Sequence, residues 1–289
     1  MTTDAKDAAG TTAAGVAGVA GRTVLLAGAG STAGRAVARA LLDAGARVAL
    51  VSRSAPPAPD GAASYACDLT DTAAVDALVP RVHAVLGPVD GVLPLVGGWR
   101  GGGGVAGQTE EVYRALEPAF TALRLTTTAF WPDLLASPAG RVALVSSTSV
   151  ARPTAGSAAY TALKAAAESW VASLTHGFAH VPAGPGGPAP SAGSTGGAPS
   201  GGAPSGGAPS GDAPSGGAPS GGAPSGGAPS GGAPAQSAPP RGAAVIFRVR
   251  ALAGLEEELA RAVVQLWAVS ASEVNGSVVD LGTDAARGE

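Results

Sequence analysis

Cysteine, lysine, asparagine and histidine are all scarce in this 289-residue chain, and each scarcity narrows what it can be. A single cysteine, Cys67, excludes an internal disulfide, and three scattered histidines, His83, His176 and His180, do not make a spaced metal-ligand set. A reducing, cytoplasmic setting is the expectation. The formal charge of −3 supplies no basic field of the kind that draws in nucleic acid or an anionic membrane, and neither partner is expected. Residues 1–21, mostly Ala, Gly and Thr with Asp4 and Asp7, lack the basic start and long apolar run of a secretory signal. No stretch reaches the roughly 20 apolar residues of a membrane span. Lysine occurs only at Lys6 and Lys164, so sixteen of the eighteen basic residues are arginine. A lysine inside the folded part therefore stands out, because arginine is the default cation of this chain.

Glycine and proline, by contrast, are abundant at 45 and 24, too many for a uniformly packed globule. They concentrate between Ala198 and Gly232, where the pentad Ala-Pro-Ser-Gly-Gly recurs with Asp212 as its one substitution. Such a sequence has almost no apolar surface to bury and cannot offset the entropy of ordering. Residues 182–241 are accordingly expected to form a disordered insert, passive or acting as a flexible tether, and residues 1–21 and 284–289 to be tails. What remains, 22–181 and 242–283, is enough for one domain with a well-buried core.

Within that domain, strand and helix alternate. Residues 22–54 read as an apolar run at Val24–Ala27, a glycine-rich turn, a helix with Val37, Leu41 and Leu42 buried and Gly45 as its stop, and a second apolar run. Further strands are expected at Tyr65–Cys67, Gly91–Val96, the segment RVALVSS, Ala243–Leu252 and Ser277–Leu281. Helices are expected at Asp71–Leu86, Thr109–Leu135, Ala158–Phe178 and Glu256–Val269. This order predicts an α/β fold with a doubly wound, mostly parallel Rossmann-type sheet, interrupted by the insert before its sixth strand.

Three groups of residues could carry chemistry. The turn Gly28-Ala29-Gly30-Ser31-Thr32-Ala33-Gly34 follows a strand and opens a helix, where free N–H groups and the helix dipole favour a pyrophosphate. After the second strand, where an NAD-specific domain places a carboxylate, the chain has Ser52, Arg53 and Ser54, which suit a 2′-phosphate and point to NADP(H) over NAD(H). Tyr160 and Lys164 stand four apart on one helical face, and Ser147 closes a strand at the end where open α/β sheets place their sites. An ammonium beside a phenol lowers a pKa that is otherwise about 10, and a serine hydroxyl can hold a carbonyl.

The segment SSTSVARPTAGSAAYTALKAAAES resembles the catalytic segment of classical short-chain dehydrogenases, with the same interval from Ser147 to Tyr160. By this resemblance Asp68 and Leu69 border the adenine, Val96 and Gly97 close the fourth strand against the cofactor, and Tyr160 and Lys164 touch it as well as the substrate. The resemblance further implies a seven-stranded sheet, reversible carbonyl–alcohol hydride transfer on a small molecule, and a homodimer or homotetramer formed through the fourth and fifth helices. The chain departs from the family at four places: Thr32 in the glycine turn, Pro94-Leu95-Val96 at the end of the fourth strand, Ala119 where an asparagine supports a proton-relay water, and Arg250-Ala251-Leu252 in place of a Pro-Gly turn. The segment between the sixth strand and the next helix is short, which leaves the site open. These departures keep a second reading in view, a weakly active or inactive nucleotide-binding scaffold or redox sensor. Trp99 and Arg100 fall near the expected nicotinamide side, as substrate contacts or as a loop anchor, while His176 and His180 suit capping or exposure better than metal binding.

Overall fold

A computed structural model describes residues 18–180 and 240–282. The expected insert and tails lie almost wholly outside the described residues. Seven strands are described, β1 (Thr23–Ala27), β2 (Arg47–Ser52), β3 (Ala62–Ala66), β4 (Gly91–Pro94), β5 (Arg141–Ser147), β6 (Ala243–Val249) and β7 (Val278–Asp280). They form one sheet in the order β3-β2-β1-β4-β5-β6-β7, with every pairing parallel. The helices are α1 (Thr32–Asp43), α2 (Thr72–Leu86), α3 (Glu110–Ala129), α4 (Trp131–Ala136), α5 (Ala158–Ala179), α6 (Glu256–Gln265) and α7 (Ala271–Val274). This is the doubly wound fold anticipated from the alternation of strand and helix.

Apolar runs become central strands because both faces of a parallel sheet are covered. In β1, Leu25 and Ala27 enter the core under α2, α3 and α5, while Val24 and Leu26 enter the opposite core with Val37 and Leu41 of α1 and Leu259 and Val263 of α6. β6 is divided in the same way, Ala244 and Ile246 to one side and Val245, Phe247 and Val249 to the other. The strand order reverses between β1 and β4, which places the crevice of the fold at the carboxyl ends of these two strands. β4 pairs with β5 only at Gly91↔Arg141 and Val92↔Val142, and no ladder pairing follows. Among the described residues no helix is long and apolar enough to cross a membrane.

Several expected boundaries are corrected. The single helix expected over Thr109–Leu135 is two, because Pro132 has no N–H to continue the ladder and Phe130, at ψ 6°, turns the chain between α3 and α4. β4 stops at Pro94, not Val96, and Gly97 then takes φ 149° to carry the chain away from the sheet. β6 ends at Val249 and not at Leu252, since Arg250 and Ala251 are exposed. β3 starts earlier than expected, at Ala62, paired to β2 from Val48↔Ala62 onward. Leu42 is only half-buried beside the buried Leu41, and α6 ends at Gln265, leaving α7 as a separate turn.

Candidate active site

The glycine turn is built by close approach. Gly28 has φ +94°, and a Cβ there would lie 2.7 Å from the Val96 nitrogen, so β1 and β4 leave no room for a side chain. At Gly34 a Cβ would lie 2.6 Å from the Ala29 carbonyl oxygen, which lets α1 start tightly against the strand. Ser31 caps α1, its hydroxyl accepting from the Gly34 N–H at 2.9 Å. Arg35, which the sequence reading did not single out, folds back over the turn and donates to the Gly30 carbonyl at 2.8 Å and to the Thr32 hydroxyl at 3.3 Å. Thr32 sits in the first turn of α1, and no described residue other than glycine has a positive φ, so its β-branch meets no left-handed backbone.

A cleft of about 470 Å³ lies above this turn. Gly28, Gly30, Ser31, Ser52, Arg53, Asp68, Leu69, Val96 and Gly97 all line it, as expected, whereas Thr32 and Gly34 do not. Gly34 shapes the turn from beneath, and Thr32 is turned to solvent. Cys67, Thr70, Leu95, Ala115, Pro118 and Ala119 complete the lining, and of these the sequence reading singles out only Leu95 and Ala119, as departures from the family. Arg53 is exposed at the end of β2, while the Ser52 hydroxyl already donates to the Ser54 carbonyl at 2.5 Å. Asp68 accepts from the Thr70 hydroxyl at 2.6 Å and the Thr70 N–H at 2.9 Å, and these bonds, aided by the Arg53 charge, hold its carboxyl below the usual carboxylate range. That carboxylate lies two residues beyond the end of β3 and not at the end of β2.

A second cleft, of about 590 Å³, shares Leu95, Val96 and Gly97 with the first. Ser147, Tyr160 and Lys164 all line it, together with Trp99 and the short segment Arg250–Ala253. Antiparallel packing of α5 against β5 brings the three together: Ser147 is the last residue of β5, and Tyr160 and Lys164 lie on the first turns of α5, which runs back along the strand. Trp99 is 65% exposed, which favours a wall of the cleft open to solvent over a buried loop anchor. The His176 and His180 rings stack at 3.9 Å near the end of α5, and among the described residues no group of three or more His, Cys, Asp or Glu could hold a metal.

Charge around Lys164 is arranged differently from the sequence expectation. Its ammonium donates to the Val145 carbonyl at 2.8 Å, past the last β4–β5 pairing, and lies 5.8 Å from the centre of the Tyr160 ring. Burial drives its pKa down to about 8, against a smaller pull upward from Glu168. Glu168, one turn further along α5, is itself tied by Arg248 of β6 at 2.9 and 2.6 Å and by the Ser146 hydroxyl at 2.6 Å. Burial costs it, but those partners outweigh the cost and hold its carboxyl below the ordinary value. Tyr160 is pushed above its ordinary pKa by burial, with its hydrogen bond to Ser147 as the counterweight. No influence of Lys164 stands among the causes of this shift. Desolvation wins, and Tyr160 holds its proton. The Glu168–Arg248 pair was invisible in sequence because its members are 80 residues apart.

The family model for short chain dehydrogenase matches residues 22–181. A short chain dehydrogenase of Pseudocercospora fijiensis is 32% identical over 167 residues, 53% of this chain, and the chain spans about half of that curated relative, 54%. In three dimensions the chain is similar to a short-chain dehydrogenase/reductase from Serratia marcescens, with a TM-score of 0.63 at 16% identity over 92% of this chain and 97% of the other. It is also similar to a metagenomic short-chain oxidoreductase in complex with NADP, with a TM-score of 0.61 at 19% identity over 90% and 97%. At such identities the two structures speak for the fold. Together with the family match over more than half of its length, they show that this chain belongs to the short-chain dehydrogenase family, a family of NAD(P)-dependent oxidoreductases.

Proposed function

We propose that this protein is an NADP(H)-preferring carbonyl reductase or alcohol dehydrogenase that uses Ser147, Tyr160 and Lys164. The observation that carries the reading is the meeting of the two clefts along Leu95–Gly97, with the glycine turn and Arg53 on one side and the three catalytic candidates on the other. The first cleft suits a dinucleotide. A Cβ at Gly30 would have only Ser52 Oγ within 4 Å, at 3.9 Å, so a bound group finds space beside exposed backbone, and the N-terminus of α1 faces that space. Gly28, Gly30 and Ser31 would hold the pyrophosphate, Asp68 and Leu69 the adenine, Ser52 and Arg53 a 2′-phosphate, and Val96, Gly97, Tyr160 and Lys164 the nicotinamide half. The cofactor supplies the hydride.

The chain's own residues supply the rest. Ser147 positions the substrate oxygen, and Tyr160 gives it a proton, or takes one in the reverse direction. A phenol held above its ordinary pKa stays protonated across the physiological range, which is the form that carbonyl reduction needs. Lys164 places positive charge behind the phenol and near the ribose. A single domain continued across the 182–241 insert, working on a small molecule and self-associating through α3 and α5, is part of the same reading. The rival reading, a nucleotide-binding scaffold without turnover, is favoured by Ala119, which puts an apolar side chain where the first cleft adjoins α3.

Titration with NADPH and NADH, followed by tryptophan fluorescence, tests the first half. NADPH should bind at least about tenfold more tightly than NADH, and Arg53→Ala should erase the difference without weakening NADH, since the guanidinium acts only on the phosphate. Equal binding of the two would remove the NADP(H) preference. Tyr160→Phe should then abolish turnover with cofactor affinity nearly unchanged.

A further inference from the structure

Of the four tryptophans Trp99 alone is exposed, since Trp131 and Trp170 are half-buried and Trp267 is buried. Its ring is nevertheless held in place. A Cβ at Gly101 would lie 2.8 Å from Trp99 Cζ2, so the indole packs against bare backbone. The glycine loop that carries it is fastened to the start of α5. The Gly102 N–H donates to the Gly156 carbonyl at 2.7 Å. The Gln108 amide donates to the Gly102 and Gly156 carbonyls at 3.1 and 3.0 Å and accepts from the Ala159 N–H at 3.2 Å. An aromatic surface fixed in this way on the wall of a cleft is a ready contact for a flat ring.

The charge of the second cleft has one sign. Among its lining residues only Lys164 and Arg250 are charged, and no carboxylate stands with them. Lys164 is engaged by the Val145 carbonyl. Arg250 is exposed, and among the described residues no hydrogen bond or ion pair holds its guanidinium. Arg248, two residues earlier, is engaged by Glu168, so of these two arginines only Arg250 is open to a ligand. It is also close to the reacting position. In the β5–β6 register Ser147 stands opposite Val249, so Arg250 follows directly after the serine's partner, and neighbouring strands lie about 5 Å apart. The first cleft, which suits the dinucleotide, does not include it.

We propose that the second cleft selects an aromatic oxo acid, its ring against Trp99, its carboxylate on the Arg250 guanidinium and its carbonyl at Ser147 and Tyr160. The proposal rests on the reading of this site as a carbonyl reductase and supplies its substrate class. In the reductive direction the carbonyl carbon takes a hydride from reduced nicotinamide and the oxygen takes the Tyr160 proton, which water then replaces. A C–H and an O–H bond take the place of the C=O π bond, the cofactor is left oxidised, and the carboxylate is untouched. The product is a hydroxy acid. A neutral ketone lacks the guanidinium contact, and an aliphatic oxo acid lacks the indole.

The test uses the full chain with NADPH and three carbonyl compounds: phenylglyoxylate, its methyl ester, which keeps the ring without the charge, and pyruvate, which keeps the charge without the ring. Phenylglyoxylate should exceed each of the others in kcat/KM by at least about tenfold. Arg250→Ala should erase the preference over the ester and move KM for NADPH by less than about twofold, with Arg250→Lys restoring part of the preference. Trp99→Ala should erase the preference over pyruvate, and Trp99→Phe should keep it. Both side chains are exposed, so their loss spares the core. Calorimetry of phenylglyoxylate on protein saturated with NADP+ reads binding without turnover and should depend on the same two residues. Reduction of the ester at least as good as that of the acid, and lost in Tyr160→Phe, would overturn the substrate class and leave the reductase reading standing. Failure of phenylglyoxylate to bind would do the same, as would an Arg250→Ala variant whose KM for NADPH rises, since the guanidinium would then serve the cofactor. Binding that depends on Arg250 and Trp99 without reduction of any of the three compounds, or reduction that survives Tyr160→Phe, would overturn the reductase reading and the proposal with it.

Discussion

Replacing Lys164 with methionine should make the folded protein more stable near neutral pH while ending its turnover. Lys164 is held at a pKa of about 8, against 10.5 for an ordinary lysine, chiefly because its ammonium is buried. At about 1.4 kcal/mol per tenfold, that depression corresponds to roughly 3 kcal/mol of unfavourable free energy in the charged form. The sign follows from proton counting. Between about pH 8 and pH 10.5 the unfolded chain binds the proton that the folded chain has released, so stability rises with pH in that window and the full penalty stands below it. Methionine fills a similar volume without the charge, but leaves the Val145 carbonyl without its 2.8 Å donor, a loss of about 1–2 kcal/mol. Glu168 keeps Arg248 and Ser146. The net expectation is a gain of about 1–2 kcal/mol at pH 7, shrinking toward zero or below by pH 10. Urea unfolding at several pH values measures it directly. Tyr65, Tyr160 and Cys67, each raised by burial, also titrate in alkali and oppose the rise, but they are common to both proteins and cancel in the difference. A variant less stable than the parent at pH 7, or one with the same pH dependence, would refute the reasoning. It would mean that Glu168 and the carbonyl compensate the ammonium fully.

Two further substitutions probe the scaffold. Arg141, 2% exposed, donates to the carbonyls of Leu266, Gly140, Arg241 and Val269 and so ties β5 to the ends of two later segments. Arg141→Met strands those acceptors and should cost about 2–4 kcal/mol in urea unfolding; a loss under about 1 kcal/mol would mean that water replaces the guanidinium. Gly34→Ala forces a methyl to within 2.6 Å of the Ala29 carbonyl, so the turn must open. A lowered melting temperature together with weaker NADPH binding is expected, and a variant normal in both would show that the tight start of α1 is dispensable.

How much of this could be read without coordinates depends on the range of the interaction. β1, β5 and β6 announced themselves as apolar runs, because a strand covered on both faces is built mostly of apolar residues. Their ends did not. Arg248 lies inside β6 and is satisfied by Glu168, whereas Arg250, two residues on, is outside the sheet and exposed. No local pattern separates these two arginines. The break at Phe130 was legible in principle from Pro132, but the apolar period continues through Leu134 and Leu135 and hides it.

The candidate site shows the same division, and the division bears on the chemistry. Ser147, Tyr160 and Lys164 were legible because their spacing is local and because lysine is nearly absent from this chain. What surrounds them was not: the Glu168–Arg248 pair spans 80 positions and the Lys164–Val145 bond 19. Burial, which no local pattern reports, decides protonation. The sequence alone favours an ammonium that stabilises a phenolate, yet the fold buries both groups and turns the ammonium toward a backbone carbonyl and a carboxylate. A tyrosine so placed holds its proton until a substrate oxygen takes it, and must then recover one.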